Sequence, residues 1–202
     1  MVVAATRAGL AAEAPVRIVM LGNSITAGLG LAAKDALPAR LEKALNAKGV
    51  AVTIENAGVS GDTSAGGLAR LDWSVGEGTE AVILELGAND ALRGVDPKQT
   101  QTALDTILAR LAARKIPVLL TGMLAPRNLG ADYANAFDPI FPALAAAHGV
   151  VFYPFILEGV AADPALNQGD GIHPNAVGVD AIVGRLLPKA QELVDRVKAT
   201  RH

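Results

Sequence analysis

Several features that would point to particular classes of protein are missing from this sequence. It has no cysteine, which excludes disulfides, thiolate nucleophiles and cysteine-ligated metals. Eighteen basic and 20 acidic residues give a formal net charge of −2 without a basic run, so nucleic acid is not an expected partner. No apolar stretch approaches the roughly 20 residues of a membrane-spanning helix. Any catalysis is therefore expected to use oxygen and nitrogen side chains.

The length of 202 residues suits one domain, which we place at residues 16–202 after an N-terminal extension of residues 1–15. This extension is rich in alanine and has a single basic residue, Arg7. It lacks the long apolar core of a complete signal peptide. Two interpretations stay open: a signal remnant, with the protein periplasmic or secreted, or a frayed extension of a cytoplasmic protein.

Short apolar runs alternate with amphipathic stretches along the whole chain. The runs that predict strands are Val16 to Leu21, Val50 to Glu55, Ala81 to Leu86, Ile116 to Thr121 and Val150 to Tyr153. The stretches that predict helices are Leu37 to Lys48, Lys98 to Arg114, Tyr133 to His148 and Asn175 to Lys198, the last broken or kinked at Pro188. Continuous apolarity is typical of parallel strands covered on both faces. The pattern predicts a three-layer α/β domain with its functional loops at the carboxyl edge of the sheet.

A carboxylate and an imidazole stand three residues apart in the segment Asp170 to Asn175, where one turn of backbone can hold both. A histidine whose tautomer is fixed by a carboxylate can take the proton of a serine. Ser24 follows the first predicted strand and is the candidate nucleophile. Taken singly, Ser24 could be a helix cap and Asp170 the cap of a surface turn. Together with His173, they favour a serine hydrolase.

Acyl transfer also needs hydrogen-bond donors for the oxyanion that forms on the attacked carbonyl. The loop Asn56 to Thr63 follows the second predicted strand, and Gly61 within it can bring a backbone N–H close to a ligand. The loop Gly87 to Asp90 follows the third strand and offers the Asn89 side-chain amide. Donors, nucleophile and base are therefore all expected on loops that follow strands.

The walls of a substrate pocket are expected in two later segments, Met123 to Ala131 and Phe155 to Leu166. The candidate lining residues are Met123, Leu124, Pro126, Leu129, Phe155, Ile156 and Leu157. Such a lining favours acyl or aryl groups, although these residues could equally belong to the core. Aromatic residues make up only 3% of the chain, so no platform for stacking a sugar is evident.

These residues together resemble the SGNH (GDSL) hydrolase family, which is named for four blocks that carry Ser, Gly, Asn and His. The four blocks here are Gly22-Asn23-Ser24-Ile25, Asn56 to Thr63, Gly87 to Asp90 and Asp170 to Pro174. Within the family, the run Ser60 to Leu71 is most similar to the bacterial multifunctional acyl-CoA thioesterase, lysophospholipase and arylesterase group. The resemblance implies a flavodoxin-like α/β/α fold with five parallel strands, and neither a metal nor an organic cofactor.

The resemblance also implies a role for each matching residue. Ser24 would be the nucleophile, His173 the base and Asp170 the carboxylate that orients it. The Ser24 N–H, the Gly61 N–H and the Asn89 side chain would form the oxyanion hole. We thus predict a serine esterase or thioesterase that acts on small acyl or aryl esters through an acyl-serine. The alternatives are a carbohydrate O-acetylesterase and a non-catalytic acyl-binding relative.

One position departs from the family pattern. Asn23 stands where the family usually has Asp, immediately before the candidate nucleophile. An amide keeps one acceptor oxygen but gains an NH2 donor and loses a charge. We expect the fold and the triad to tolerate this change, and Asn23 to modulate the rate.

Overall fold

The computed structural model describes residues 14–201. The predicted N-terminal extension therefore lies outside the described residues, apart from Ala14 and Pro15, and its possible role in export stays a prediction. None of the helices within residues 14–201 is long and apolar enough to cross a membrane.

A five-stranded parallel sheet forms the centre of the molecule, with the strand order β2-β1-β3-β4-β5. The strands are β1 Val16–Gly22, β2 Val52–Gly58, β3 Ala81–Glu85, β4 Val118–Thr121 and β5 Val151–Tyr153. All five predicted strands are present, and the α/β prediction is confirmed. The second strand continues beyond its apolar run to Gly58 because its pairing with β1 continues to Gly22. As an edge strand, β2 can leave polar residues such as Glu55 and Asn56 exposed.

Helices fill the outer layers of the domain. The helices are α1 Ser24–Ala27, α2 Leu37–Ala47, α3 Ser64–Ala69, α4 Leu71–Ser74, α5 Ala88–Leu92, α6 Pro97–Ala113, α7 Ala131–Phe137, α8 Ile140–His148 and α9 Ala176–Thr200. α2 packs against α9, whereas α6 packs against α3 and α8. The predicted helices at residues 37–48 and 98–114 are present within a residue of their expected ends, as α2 and α6.

The two remaining helix predictions differ from the structure in opposite ways. The single helix predicted from Tyr133 to His148 is two helices, α7 and α8, that meet at Asp138 and Pro139. Pro139 has no N–H to donate to the preceding turn, which explains the interruption. By contrast, α9 continues unbroken through Pro188. Its apolar stripe is buried on both sides of the proline, so packing holds the helix together there.

The topology determines where a ligand site can form. β1 lies between β2 and β3, and the chain moves outward from β1 in opposite directions along the sheet. The loops that follow β1 and β3 therefore separate at the carboxyl edge and leave a crevice, as in other open parallel sheets. The short helices α1, α3 and α5 all begin in loops at this edge.

Candidate active site

The candidate nucleophile lies in the turn that follows β1. Asn23 caps α1, and its Oδ1 accepts a hydrogen bond of 3.0 Å from the Ile25 N–H. Ser24 is the first residue of α1, a helix of only four residues that ends at Gly28 in the left-handed conformation. The tight turn presents the Ser24 hydroxyl at the carboxyl edge of the sheet, where 9% of the residue is exposed.

The candidate base lies in the turn that precedes α9. One oxygen of the Asp170 carboxylate accepts hydrogen bonds from the Ile172 and His173 N–H groups, at 2.9 and 3.0 Å. The other oxygen is 2.6 Å from His173 Nδ1. These backbone donors, together with His173 itself, hold the pKa of the Asp170 carboxyl well below its usual range. The carboxylate is therefore ionised and fixes the orientation of the imidazole.

Ser24 and His173 meet across 149 residues of sequence. The Ser24 Oγ lies 2.8 Å from His173 Nε2. A carboxylate can only accept, so Nδ1 of His173 carries the proton that points at Asp170, and Nε2 is left free to accept from the serine. The structure thus brings the three residues into one hydrogen-bonded chain with the geometry of a nucleophile, a base and an orienting acid.

The loop after β2 is fixed beside this chain by three side chains. Asn89, on α5, donates from Nδ2 to the Asp62 carbonyl at 2.9 Å. Arg70 donates to the Asp62 carboxylate at 2.6 Å, and Arg93 donates to the Gly61 carbonyl at 2.8 Å. Asn89 uses one amide hydrogen on Asp62, which leaves its second hydrogen available to a ligand.

Asn89 and Gly61 differ in their relation to the cavity. Asn89 lines it together with Ser24 and His173, whereas Gly61 lies outside the lining. Gly61 has a φ of +87°, a left-handed conformation that glycine adopts without strain. No side chain at this position covers the backbone N–H.

The cavity beside Ser24 has a volume of about 190 Å³. Its lining residues are Asn23, Ser24, Ile25, Ala88, Asn89, Ala91, Leu92, Met123, Leu124, Pro126, Phe155, Leu157, Ile172 and His173. None of these fourteen is a lysine, arginine, aspartate or glutamate. The cavity is therefore suited to an uncharged apolar group.

Five of the seven residues expected in the walls line the cavity, and two do not. Leu129 belongs to a short 3₁₀ turn, Arg127–Leu129, outside the lining. Ile156 is completely buried in the core. The sequence reading missed Leu92, which is 52% exposed at the end of α5, and Ile172 within the triad turn. The indication in the sequence was an apolar residue close to each of two family blocks, Leu92 after Gly87 to Asp90 and Ile172 within Asp170 to Pro174.

A buried carboxylate that sequence reading did not single out lies beneath the nucleophile. Glu85 ends β3 and is only 1% exposed. Its two oxygens accept hydrogen bonds from Asn23 and Thr26. Burial raises the pKa of Glu85 to about 7, although these donors favour its ionised form. A glutamate within an otherwise apolar, fully buried strand was the indication in the sequence.

The fold and these contacts together define a class of protein: a hydrolase with an α/β/α fold, in which a serine, a histidine and an aspartate lie at the carboxyl edge of a flavodoxin-like sheet. The family described as GDSL-like Lipase/Acylhydrolase matches residues 20–181 of the chain. The chain belongs to this family, and the resemblance read from the four blocks is confirmed. Within residues 14–201 no group of three or more His, Asp or Glu residues could hold a metal ion.

Three curated relatives match most of the chain. It is 39% identical over 178 residues to Esterase TesA of Pseudomonas aeruginosa, which covers 88% of this chain and 89% of the relative. It is 38% identical over 179 residues to Thioesterase 1/protease 1/lysophospholipase L1 of Escherichia coli, covering 88% and 85%. It is 36% identical over 165 residues to the Arylesterase of Vibrio mimicus, covering 81% and 82%.

Solved structures agree with this relationship. The crystal structure of TesA superposes with a TM-score of 0.83 at 38% identity, over 88% of this chain and 99% of that one. AlinE4, an esterase of the SGNH-hydrolase family, superposes with a TM-score of 0.75 at 44% identity, over 89% and 96%. The predicted SGNH hydrolase fold is therefore confirmed.

Proposed function

We propose that this chain is a serine esterase or thioesterase that hydrolyses acyl or aryl esters through an acyl-serine intermediate. One observation carries the proposal: the hydrogen-bonded chain from Ser24 through His173 to Asp170 opens onto a cavity with an apolar lining. The relatives named esterase, thioesterase and arylesterase support the same reaction class.

In the first half of the reaction, Ser24 Oγ attacks the ester or thioester carbonyl while His173 Nε2 takes its proton. The ionised Asp170 stabilises the imidazolium that forms, because it already accepts from Nδ1. The carbonyl oxygen gains negative charge and needs donors. We assign this role to the Ser24 N–H, the Gly61 N–H and the second amide hydrogen of Asn89. His173 then returns the proton to the departing alcohol or thiol.

In the second half, water attacks the acyl-serine, and His173 acts again as base and then as acid. The acid product leaves and Ser24 regains its proton. The loop that carries Gly61 and Asp62 is held by Arg70, Asn89 and Arg93 before substrate arrives, so the donors need little reorganisation during the reaction.

The cavity also supports the choice of substrate. The acyl or aryl part of the ester would lie against apolar side chains such as Leu92, Met123 and Phe155. A bare sugar would leave its hydroxyls without polar partners on these walls, which disfavours the carbohydrate O-acetylesterase. We infer that acyl-CoA, lysophospholipid and aryl ester substrates are the compounds to compare, since relatives are named for activities of this kind.

The test is a series of p-nitrophenyl esters of increasing chain length, measured beside an acyl-CoA, a lysophospholipid and an acetylated sugar. We expect hydrolysis of the aryl esters, and its loss in Ser24→Ala but not in a control at the exposed Ser60, Ser60→Ala. A second aspartate–histidine pair provides a further control: His148 lies 2.7 Å from Asp105, away from the cavity. His148→Ala should retain activity, whereas His173→Ala should lose it. Full activity in pure Ser24→Ala would contradict the proposal.

A further inference from the structure

Three buried polar side chains meet directly beneath the nucleophile, and we call them the Glu85 cluster: Glu85, Asn23 and Thr26. Glu85 lies at the end of β3, in register with Gly22 at the end of β1. Asn23 and Thr26 are completely buried and lie on either side of Ser24 in the sequence. The cluster is close enough to the nucleophile to control its position, but it does not touch the reacting atoms.

Both oxygens of the Glu85 carboxylate are occupied by donors from the nucleophile turn. Oε1 accepts from Asn23 Nδ2 at 2.8 Å. Oε2 accepts from the Asn23 N–H at 3.1 Å and from Thr26 Oγ1 at 2.8 Å. All three donors are neutral. Glu85 therefore holds the residue before Ser24 and the second residue after it.

The space around the carboxylate is filled. A Cβ added to Gly22 would lie 2.7 Å from Glu85 Oε2 and 2.0 Å from Thr26 Oγ1, so this position must be glycine for the cluster to close. The charged groups that face the cluster are one step removed. Arg70 donates to the Gly22 carbonyl at 2.9 Å, and the Asp170–His173 pair lies on the far side of Ser24.

We propose that Glu85 is a positioning residue for the nucleophile, and that Asn23 is the neutral donor that allows this single buried carboxyl group to hold the Ser24 turn. The inference rests on the proposed hydrolase function. It gives a physical role to Asn23, which stands where the family usually has Asp. An Asp at position 23 would face Glu85 with a second carboxylate at hydrogen-bond distance, and two such groups must keep a proton between them.

The test is a set of four variants: Glu85→Gln, Asn23→Asp, the double variant with both changes, and Glu80→Gln as the control. Glu80 precedes β3 at the opposite edge of the sheet and pairs there with Arg201. We would measure kcat and KM for p-nitrophenyl butyrate between pH 5 and 9, and the melting temperature of each variant.

The expected results differ for each variant. In Glu85→Gln, the new NH2 group would face a hydrogen-bond donor of the Ser24 turn, so the two donors would repel and the turn would shift. The kcat should therefore fall on the order of 10-fold or more while KM changes little. Asn23→Asp should come within about threefold of the parent kcat near pH 6, then lose about 10-fold by pH 9 as the shared proton leaves. In the double variant, a carboxylate at position 23 faces an amide at position 85, which is the parent arrangement with the two groups exchanged. Its kcat at pH 8 should therefore recover to within about threefold of the parent. Glu80→Gln should match the parent.

Several results would overturn the inference. If the parent is active and Glu85→Gln has the same kcat and the same pH profile, the carboxylate does not position Ser24. If Glu85→Gln fails to fold, Asn23→Asp decides the question, and a pH profile identical to that of the parent overturns it. A double variant no better than the worse single variant also overturns it. A folded parent without any esterase activity instead contradicts the proposed function itself, and the inference falls with it.

Discussion

The buried Glu85 carboxylate should make the stability of the protein depend on pH near neutrality. Burial raises its pKa from the ordinary value of 4.5 to about 7 in the folded protein. Between these two values the folded chain holds a proton that the unfolded chain has released. The free energy of unfolding should therefore fall as the pH rises through this range. Each pKa unit corresponds to about 1.36 kcal/mol. The difference of about 2.5 units between the two pKa values therefore corresponds to a loss of roughly 3 kcal/mol in the free energy of unfolding across the whole titration.

Urea unfolding at pH 5, 6, 7 and 8 measures this effect, with Glu85→Gln beside the parent. The parent should lose about 2–3 kcal/mol relative to Glu85→Gln between pH 5 and pH 8, because part of the titration lies below pH 5. The Asp170 carboxyl, whose pKa its backbone donors lower, titrates below this range and does not contribute. Glu77→Gln, at an exposed position, should keep the pH dependence of the parent. If parent and Glu85→Gln show the same slope, Glu85 does not titrate as its burial requires.

Three further outcomes follow from the contacts. Asn89→Ala should lower kcat for p-nitrophenyl butyrate by about 10²- to 10³-fold with little change in KM, because the amide acts on charge that develops in the transition state; an unchanged kcat removes Asn89 from the oxyanion hole. Gly22→Ala should lower the free energy of unfolding in urea by about 1–3 kcal/mol, since its Cβ meets Thr26 and Glu85, whereas Gly76→Ala meets no atom within 4 Å and serves as the control. Leu84 is completely buried in β3, so Leu84→Ala should lower the free energy of unfolding by about 2–5 kcal/mol in the same assay. Trp73 is 85% exposed, so Trp73→Ala should change it by no more than about 0.5 kcal/mol. Equal losses in the two variants would contradict the assigned core.

The strands could be predicted because the sheet is covered on both faces and so requires continuous apolar runs. β3, where every residue is buried, is the clearest example. The bounds of β2 could not be predicted in this way, because β2 continues to Gly58 through its hydrogen bonds to β1 and not through an apolar run. The junction between α7 and α8 was missed because the apolar pattern continues across Asp138 and Pro139.

The candidate site divides in a similar way. The hydrogen-bonded chain of Ser24, His173 and Asp170 could be anticipated because its two turns are local structures with recognisable residue patterns. The contact between Asn23 and Glu85 could not, because these residues are 62 positions apart and only the pairing of β1 with β3 brings them together. Likewise, the burial of Ile156 depends on packing that an apolar segment does not reveal.

The most direct test of a serine nucleophile is covalent labelling with a fluorophosphonate, followed by mass spectrometry of the digested protein. We predict one adduct per chain, on the peptide that contains Ser24, formed by the parent and by His148→Ala but greatly slowed in His173→Ala, which lacks the base. Absence of an adduct on Ser24 in folded parent protein, or an adduct on a different serine, would contradict the assignment.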